Sequence, residues 1–251
     1  MYRIHIWQWP NLLALDAALI AVCWQATLSN SAFATAPATV LALSVWLTYM
    51  ADRLFDVSKR DHTQLVSARH RFAKQHIQLL WRIWSAILIV DLAVALLFLS
   101  PHTLKQGLWL LGFCLLYTQL NQVFSKYFFP KEVCVALIFA AGTVILMQDA
   151  KPFLKVFALS LLCLCNCLAI SRQEQYIDLA LGVHSLSSVR CLLPISFIAC
   201  GGAAITFAPI IIPSYLALLL LVKGHRHITA ERFRVLADLS LLISPAIAYL
   251  T

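Results

Sequence analysis

Charged residues are scarce in this 251-residue chain. Asp, Glu, Lys and Arg together make up only 12% of it, whereas 61% of the residues are hydrophobic and the mean hydropathy is +0.83. So few charges supply too little polar surface to cover a soluble domain of this size. We therefore expect an integral membrane protein.

Glycine and proline are also few, at seven and nine residues, and they do not cluster. No low-complexity tract or long polar linker interrupts the apolar runs. This pattern predicts a single membrane domain that covers residues 1–251.

The apolar runs are long enough to cross the hydrocarbon core of a bilayer, which takes about 20 helical residues. We predict an all-α, polytopic helical bundle with about nine transmembrane helices, at residues 11–30, 38–57, 78–99, 103–121, 131–148, 152–173, 186–204, 206–222 and 233–250. Pro209 and Pro213 leave open a re-entrant kink, which would reduce the count to eight. The first run resembles a cleavable signal, but Asp16 within it favours a retained helix.

Basic residues are distributed unequally between the two ends of these helices. Sixteen of the nineteen Lys and Arg residues flank one side, and only Lys105, Lys151 and Lys155 flank the other. Because basic loops stay in the cytoplasm, the N-terminus is expected to be cytoplasmic, in a cell inner membrane. The net charge of +8 then reflects topology and contact with lipid head groups, so it does not indicate nucleic-acid binding.

Two pairs of acids lie where apolar runs end, on the predicted cytoplasmic side. Asp52 and Asp56 form one pair, and Glu174 and Asp178 form the other. A spacing of four places both members on one helix face, and ionisable groups at a membrane boundary are costly unless they face water, a partner or a metal. Each pair is predicted to bind a metal ion. The alternative is a solvated helix-end pair neutralised by a neighbouring arginine.

The remaining polar residues in apolar runs give weaker signals. Asp16, Asp91 and Asp238 are candidates either for function or for a bond to a neighbouring helix. The eight cysteines lie in or beside apolar runs, and three of them, Cys163, Cys165 and Cys167, occupy every second position. In a helix such alternating side chains point in different directions, which favours packing over a zinc site.

Three segments of the chain resemble the UbiA superfamily of intramembrane prenyltransferases. The family has N-D-x-x-D-R-x-x-D at the end of its second helix, and residues 48–56 keep Arg53 and the last two acids but have Thr48 and Tyr49 in place of the first two residues. A second family segment, Y-x-x-x-K followed by a distant Gly, matches Tyr127, Lys131 and Gly142. The third, D-x-x-x-D-x-x-x-G-x-x-S, is matched in register by Glu174, Asp178, Gly182 and Ser185, with Glu in place of the first Asp.

The resemblance implies a Mg²⁺-dependent transfer of a polyprenyl group from its diphosphate to an aromatic or other acceptor within the lipid bilayer. Asp52, Asp56, Glu174 and Asp178 would be the catalytic metal ligands. The diphosphate would be bound by Arg53, Arg69, Arg71, Tyr127, Lys131 and Arg172, although Arg69 and Arg71 also fit a plain topology signal. Two alternatives remain open: a terpene cyclase of the same family, and a non-catalytic membrane protein that binds lipid or quinone.

Overall fold

The computed structural model describes residues 5–29, 34–58, 60, 65–124, 130–147, 152–180 and 186–250. Of the side chains in these ranges, those at positions 122, 152, 178, 180, 187 and 226 are not described.

Every regular element in the described ranges is a helix. In chain order the α-helices are α1 (Trp9–Leu12), α2 (Leu15–Leu28), α3 (Thr35–Ser58), α4 (Ala68–Gln75), α5 (Ile77–Phe98), α6 (Pro101–Phe124), α7 (Lys131–Ile145), α8 (Pro152–Gln173), α9 (Gln175–Ala180), α10 (Leu192–Phe207), α11 (Ile212–Gly224), α12 (Ala230–Ser240) and α13 (Ile243–Leu250). Short 3₁₀ turns occupy Ile6–Gln8, Leu186–Ser188, Pro209–Ile211 and His225–His227.

The predicted all-α membrane bundle is confirmed. Each of the nine predicted apolar stretches overlaps one of the helices α2, α3, α5, α6, α7, α8, α10 and α11 or, for the last stretch, the pair α12 and α13. In the described ranges, Ile77–Phe98, Phe153–Gln173 and Ala230–Leu250 are each long and apolar enough to cross a membrane, and Ile6–Leu12 with Leu15–Leu28 forms a fourth candidate bent by 75°. Of the two prolines that leave the count open, Pro209 begins the 3₁₀ turn that joins α10 to α11, and Pro213 lies in the first turn of α11.

Helix α8 lies at the centre of the bundle and packs against α7 and α10. Its Leu159, Leu162 and Cys165 are fully buried. The cysteines of the described ranges are all free thiols, and Cys163, Cys165 and Cys200 are buried whereas Cys191 is exposed. Helix α5 presents an apolar outer face, on which Leu96 and Leu97 are 70% and 76% exposed. A soluble protein would not expose such a face, so this surface is in contact with lipid.

The chain bends sharply between α1 and α2. Ala14 adopts a left-handed conformation with φ of 54°, which costs an L-residue about 1–2 kcal/mol. Side chains of α3 stabilise this break: Nη1 of Arg53 donates to the carbonyls of Asn11 (2.9 Å) and Leu12 (2.6 Å), and Nε1 of Trp46 donates to Leu13 (2.8 Å). The bend turns the polar start of α2 towards the interior of the bundle.

Helix α4 lies between α3 and α5 in the chain and is anchored at both ends. Ser67 caps it by accepting a hydrogen bond from the backbone N–H of His70, and the backbone N–H of Ala68 donates to Oε1 of Glu231 (3.0 Å). At the other end, Nζ of Lys74 donates to the carbonyl of Val57 (3.0 Å), which closes the last turn of α3. These contacts hold α4 against the ends of α3 and α12.

Candidate functional site

A cavity of about 270 Å³ opens where the ends of several helices meet beside α4. Helices α2, α3, α4, α6, α7, α8 and α12 all contribute side chains to it. Its polar lining includes Asp52, Asp56, Arg60, Arg69, Lys131, Glu174 and Arg234, and its apolar lining includes Ile20, Ala136, Phe139 and Ile170. The cavity therefore combines a charged end with hydrocarbon walls.

Asp52 and Asp56 lie one turn apart on α3 and both line this cavity, as their spacing predicts. Each interacts electrostatically with Lys131 and Arg69. Nε2 of His70 lies 4.0 Å from Oδ2 of Asp56. Burial, together with the nearby arginines, holds the pKa of His70 well below its usual range, which favours the neutral ring at this contact.

Glu174 is held by two arginines from distant parts of the chain. Arg69 donates Nη1 to Oε1 (3.2 Å) and Nη2 to Oε2 (3.0 Å), while Arg234 donates Nε to Oε1 (2.8 Å) and Nη2 to Oε2. A carboxylate has about four lone-pair sites, and these four N–H groups use them all. Burial by itself would raise the pKa of Glu174, but the two guanidinium groups hold it well below its usual range.

Lys131 is the first residue of α7 and lines the cavity. It therefore lies in the same cavity as Asp52 and Asp56, the acids with which the family resemblance groups it. The next residue, Glu132, is 2% exposed and accepts hydrogen bonds from Oγ of Ser171 (2.9 Å) and from the backbone of Leu186 (3.4 Å). Glu132 thereby fixes the start of α7 against the end of α8. That anchoring holds Lys131 at the cavity.

The other predicted diphosphate ligands differ in their placement. Arg53 lines the cavity but uses Nη1 for the two carbonyls at the α1–α2 break. Arg71 and Arg172 are not among the cavity-lining residues of the described ranges. Tyr127 lies outside the described residues, as do Gly182, Ser185 and the side chain of Asp178.

The structure also brings to the cavity residues that the sequence reasoning did not place there. Asp16, Asn166, Asp238 and Arg234 all line it. Asn166 and Arg234 had a usable signal, because a strongly polar side chain within a predicted span is costly unless it faces the interior of the bundle. Arg234 was instead counted only as a basic residue that sets topology.

Two acids on one helix turn do not by themselves form a complete cage for a metal. Among the described side chains, no group of three or more His, Cys, Asp or Glu residues is arranged to hold a metal ion. Mg²⁺, however, often binds through one or two carboxylates plus substrate phosphates. The oxygens of Asp52 and Asp56 therefore fit a magnesium ion that is shared with a phosphate ligand, whereas those of Glu174 are already occupied.

Comparison with solved structures finds the apo structure of a UbiA homolog from Aeropyrum pernix K1, with a TM-score of 0.62 over 100% of both chains and 14% sequence identity. Neither sequence-family profiles nor curated proteins give a match. At this identity the likeness establishes the fold, so the resemblance inferred from the three sequence segments is confirmed at that level.

Proposed function

We propose that this chain, which shares the UbiA fold, is a Mg²⁺-dependent membrane prenyltransferase that binds a prenyl diphosphate in the cavity beside α4. The observation that carries the proposal is the presence of two adjacent carboxylates, Asp52 and Asp56, with Lys131 in a cavity that also has apolar walls. A prenyl diphosphate is a polyanion attached to a hydrocarbon chain, so it requires both surfaces.

Asp52 and Asp56 are the proposed magnesium ligands. When bound, the metal would stabilise negative charge on the departing diphosphate as the allylic C–O bond breaks. Both residues line the cavity, where their oxygens could be shared between a metal ion and a phosphate. Asp178 belongs to the same prediction through its sequence position, and its metal-binding role stays a prediction.

Glu174 was grouped with the metal ligands, and that role also stays a prediction. Its four hydrogen bonds to Arg69 and Arg234 favour a different role for Glu174. We propose that Glu174 positions these two guanidinium groups at the cavity. Guanidinium groups fixed in this way can bind phosphate oxygens through the N–H groups that Glu174 does not use, and less side-chain entropy is lost on binding.

Lys131 and Arg60 complete the proposed diphosphate site. Both line the cavity, and Lys131 interacts electrostatically with both acids of α3. A lysine ammonium acts on phosphate as a point charge, so it tolerates the change in geometry as the diphosphate leaves. Together these cations would offset the charge that the carboxylates bring to the site.

The hydrocarbon part of the substrate is expected to extend out of the cavity. A volume of about 270 Å³ lies just below the range of about 300–1,000 Å³ typical of pockets for drug-sized ligands. Ile20, Ala136 and Phe139 supply an apolar wall beside the charged end. We propose that the prenyl chain follows this wall into the surrounding lipid.

Asp56→Asn tests the proposal. Membranes that contain the intact chain are expected to consume labelled geranylgeranyl diphosphate only when Mg²⁺ is present, and Asp56→Asn should lower that rate at least about 100-fold, because it removes a charged metal ligand. The matched control is Asp91→Asn, since Asp91 is a buried acid on α5 that does not line the cavity.

The reaction products separate the candidate functions. Prenylated acceptor supports the transferase, and a terpene formed from the diphosphate alone indicates a cyclase. Magnesium-dependent binding without turnover, across several chain lengths and acceptors, would indicate a non-catalytic lipid-binding protein. Full activity in Asp56→Asn would show that the metal assignment is wrong.

A further inference from the structure

Helix α4 carries Arg69 to the charged end of the cavity, and a carboxylate from α12 holds the beginning of that helix. Oε1 of Glu231 accepts a hydrogen bond from the backbone N–H of Ala68 (3.0 Å), which is the first residue of α4 and directly precedes Arg69. Glu231 therefore contacts the backbone one residue away from an arginine that lines the cavity.

The second oxygen of Glu231 is bound by the N-terminal segment of the chain. Nε2 of Gln8 donates to Oε2 of Glu231 (2.9 Å), and Oε1 of Gln8 accepts from the backbone N–H of His5 (2.8 Å). Gln8 is 5% exposed, so its amide is enclosed by protein as well as bonded at both ends. The carboxylate of Glu231 is thereby held in one orientation, with Oε1 towards α4.

These contacts belong to a closed loop that joins α4, α12 and the segment between α8 and α9. Glu231 and Arg234 lie three positions apart on α12, so they share one side of that helix. Arg234 donates to Glu174, which also accepts from Arg69. Glu231 closes the loop by returning from α12 to the start of α4. One carboxylate thus binds the guanidinium group of Arg69, and another binds the backbone beside it.

We propose that Glu231 is a positioning residue, which determines through the first turn of α4 where Arg69 presents its N–H groups to the diphosphate. Glu231 is not among the described residues that line the cavity, so it acts through Arg69. Arg69 donates two N–H groups to Glu174, and a guanidinium group has five, so others remain for a phosphate. This inference rests on the proposed function, which supplies the diphosphate.

The shortness of α4 is the reason that a contact at its first residue matters. A guanidinium group binds phosphate through two parallel hydrogen bonds, which require its plane to be aligned. Because α4 has eight residues, a shift at Ala68 is transmitted directly to Arg69. The far end of the helix keeps its bond from Lys74 to Val57, so loss of the Glu231 contact releases only the beginning of α4.

Binding of farnesyl diphosphate to the purified full-length chain in detergent with Mg²⁺ tests this role. Titration calorimetry should show that Glu231→Ala weakens binding about ten-fold, since a hydrogen bond to a charged group is worth about a decade or more in affinity. Glu231→Gln should bind within about three-fold of wild type, because its amide oxygen can still accept from the N–H of Ala68. Asp91→Asn is the control, since Asp91 is a buried acid on α5, and it should leave the affinity unchanged.

A double-mutant cycle separates positioning from a general effect on stability. Arg69→Gln should weaken binding about ten-fold or more in a protein that remains folded, because Glu174 keeps Arg234. Adding Glu231→Ala should weaken it less than about two-fold further, since no guanidinium group is left to position. Two losses that multiply, wild-type affinity in Glu231→Ala, or equal weakening in Glu231→Gln and Glu231→Ala would overturn the inference.

A second variant applies if Glu231→Ala does not elute as a folded protein. Gln8→Ala releases Oε2 of Glu231 and should weaken binding about three-fold when Arg69 is present and not in Arg69→Gln. Wild-type affinity in Gln8→Ala would then count against the proposed role of Glu231.

Inorganic diphosphate is titrated in parallel, so that the positioning role and the proposed function can fail separately. If the wild-type chain binds both anions and Glu231→Ala binds them equally well, the positioning role is wrong and the proposed function stands. If the wild-type chain binds inorganic diphosphate but no farnesyl diphosphate, the proposed function is wrong, and a ten-fold loss of inorganic diphosphate affinity in Glu231→Ala still supports the positioning role.

Discussion

Replacing Glu174 by Gln tests whether this acid is a partner of arginines or a ligand of metal. Glu174 is buried, and both of its oxygens accept from Arg69 and Arg234. Removing one partner of a buried ion pair costs about 3–5 kcal/mol, because the other charge is left uncompensated. The side chains of Arg69 and Arg234 are 14% and 22% exposed, so some solvation remains and the low end, about 3 kcal/mol, applies.

Thermal unfolding in detergent without added Mg²⁺ measures this effect. For a chain of about 250 residues, 1 kcal/mol shifts Tm by about 2–4 °C, so Glu174→Gln should lower Tm by about 6–12 °C. Inorganic diphosphate should recover part of this loss, because it supplies the two guanidinium groups with another anion. Arg172→Gln is the matched control, since Arg172 is exposed in the last turn of α8, two residues before Glu174, and its loss should change stability by about 0.5 kcal/mol or less.

A different pattern would refute the proposed role of Glu174. If it served only as a metal ligand, Glu174→Gln would leave Tm unchanged without Mg²⁺ and would abolish the rise in Tm on adding Mg²⁺ and diphosphate. That result would show that the two ion pairs contribute nothing to stability and that the metal prediction for this residue is correct.

Three further predictions concern stability. Arg53→Met should destabilise the fold by about 2–4 kcal/mol in the same unfolding assay, because it removes charged hydrogen bonds from two carbonyls at the α1–α2 break. An unchanged Tm would contradict the role of Arg53 in stabilising this break. The pKa of Glu174 is lowered from its ordinary 4.5, so its contribution to the free energy of unfolding should be constant at neutral pH and be lost only as pH falls below 4.5. If the Tm difference between wild type and Glu174→Gln were already lost at pH 6, that result would be inconsistent with the ion pairs. Gly142→Ala should be neutral or stabilising by up to about 1 kcal/mol, because its Cβ would lie 3.4 Å from Cδ2 of Leu110 and alanine favours the helix; a large fall in Tm would show that α6 and α7 tolerate no added methyl group.

The helical bundle followed from the sequence because each apolar run is a local signal of sufficient length. Asp52 and Asp56 were equally readable, since their relative placement depends only on the period of one helix. Local periodicity also carried information that the predictions did not use. Arg53 is adjacent to Asp52, and neighbouring positions on a helix point about 100° apart, which agrees with its contacts to α1.

The same argument applies to the arginines of α4. Positions 69 and 71 lie about 200° apart around a helix, so only one of them can face a given cavity, and the structure places Arg69 there. The partners of Glu174 had no such local signal. Arg69 and Arg234 are 105 and 60 residues away, and only the packing of several helices brings them together.

Those separations have a consequence for biogenesis. Chains are synthesised from the N-terminus, so α4 leaves the ribosome long before Arg234 does. Until α12 has been inserted, Glu174 has at most one of its two guanidinium partners, and the backbone N–H of Ala68 lacks its contact with Glu231. The charged end of the cavity is therefore completed only after Glu231 and Arg234 have been synthesised, and a nascent chain that stops before them carries Glu174 without its full complement of arginine partners.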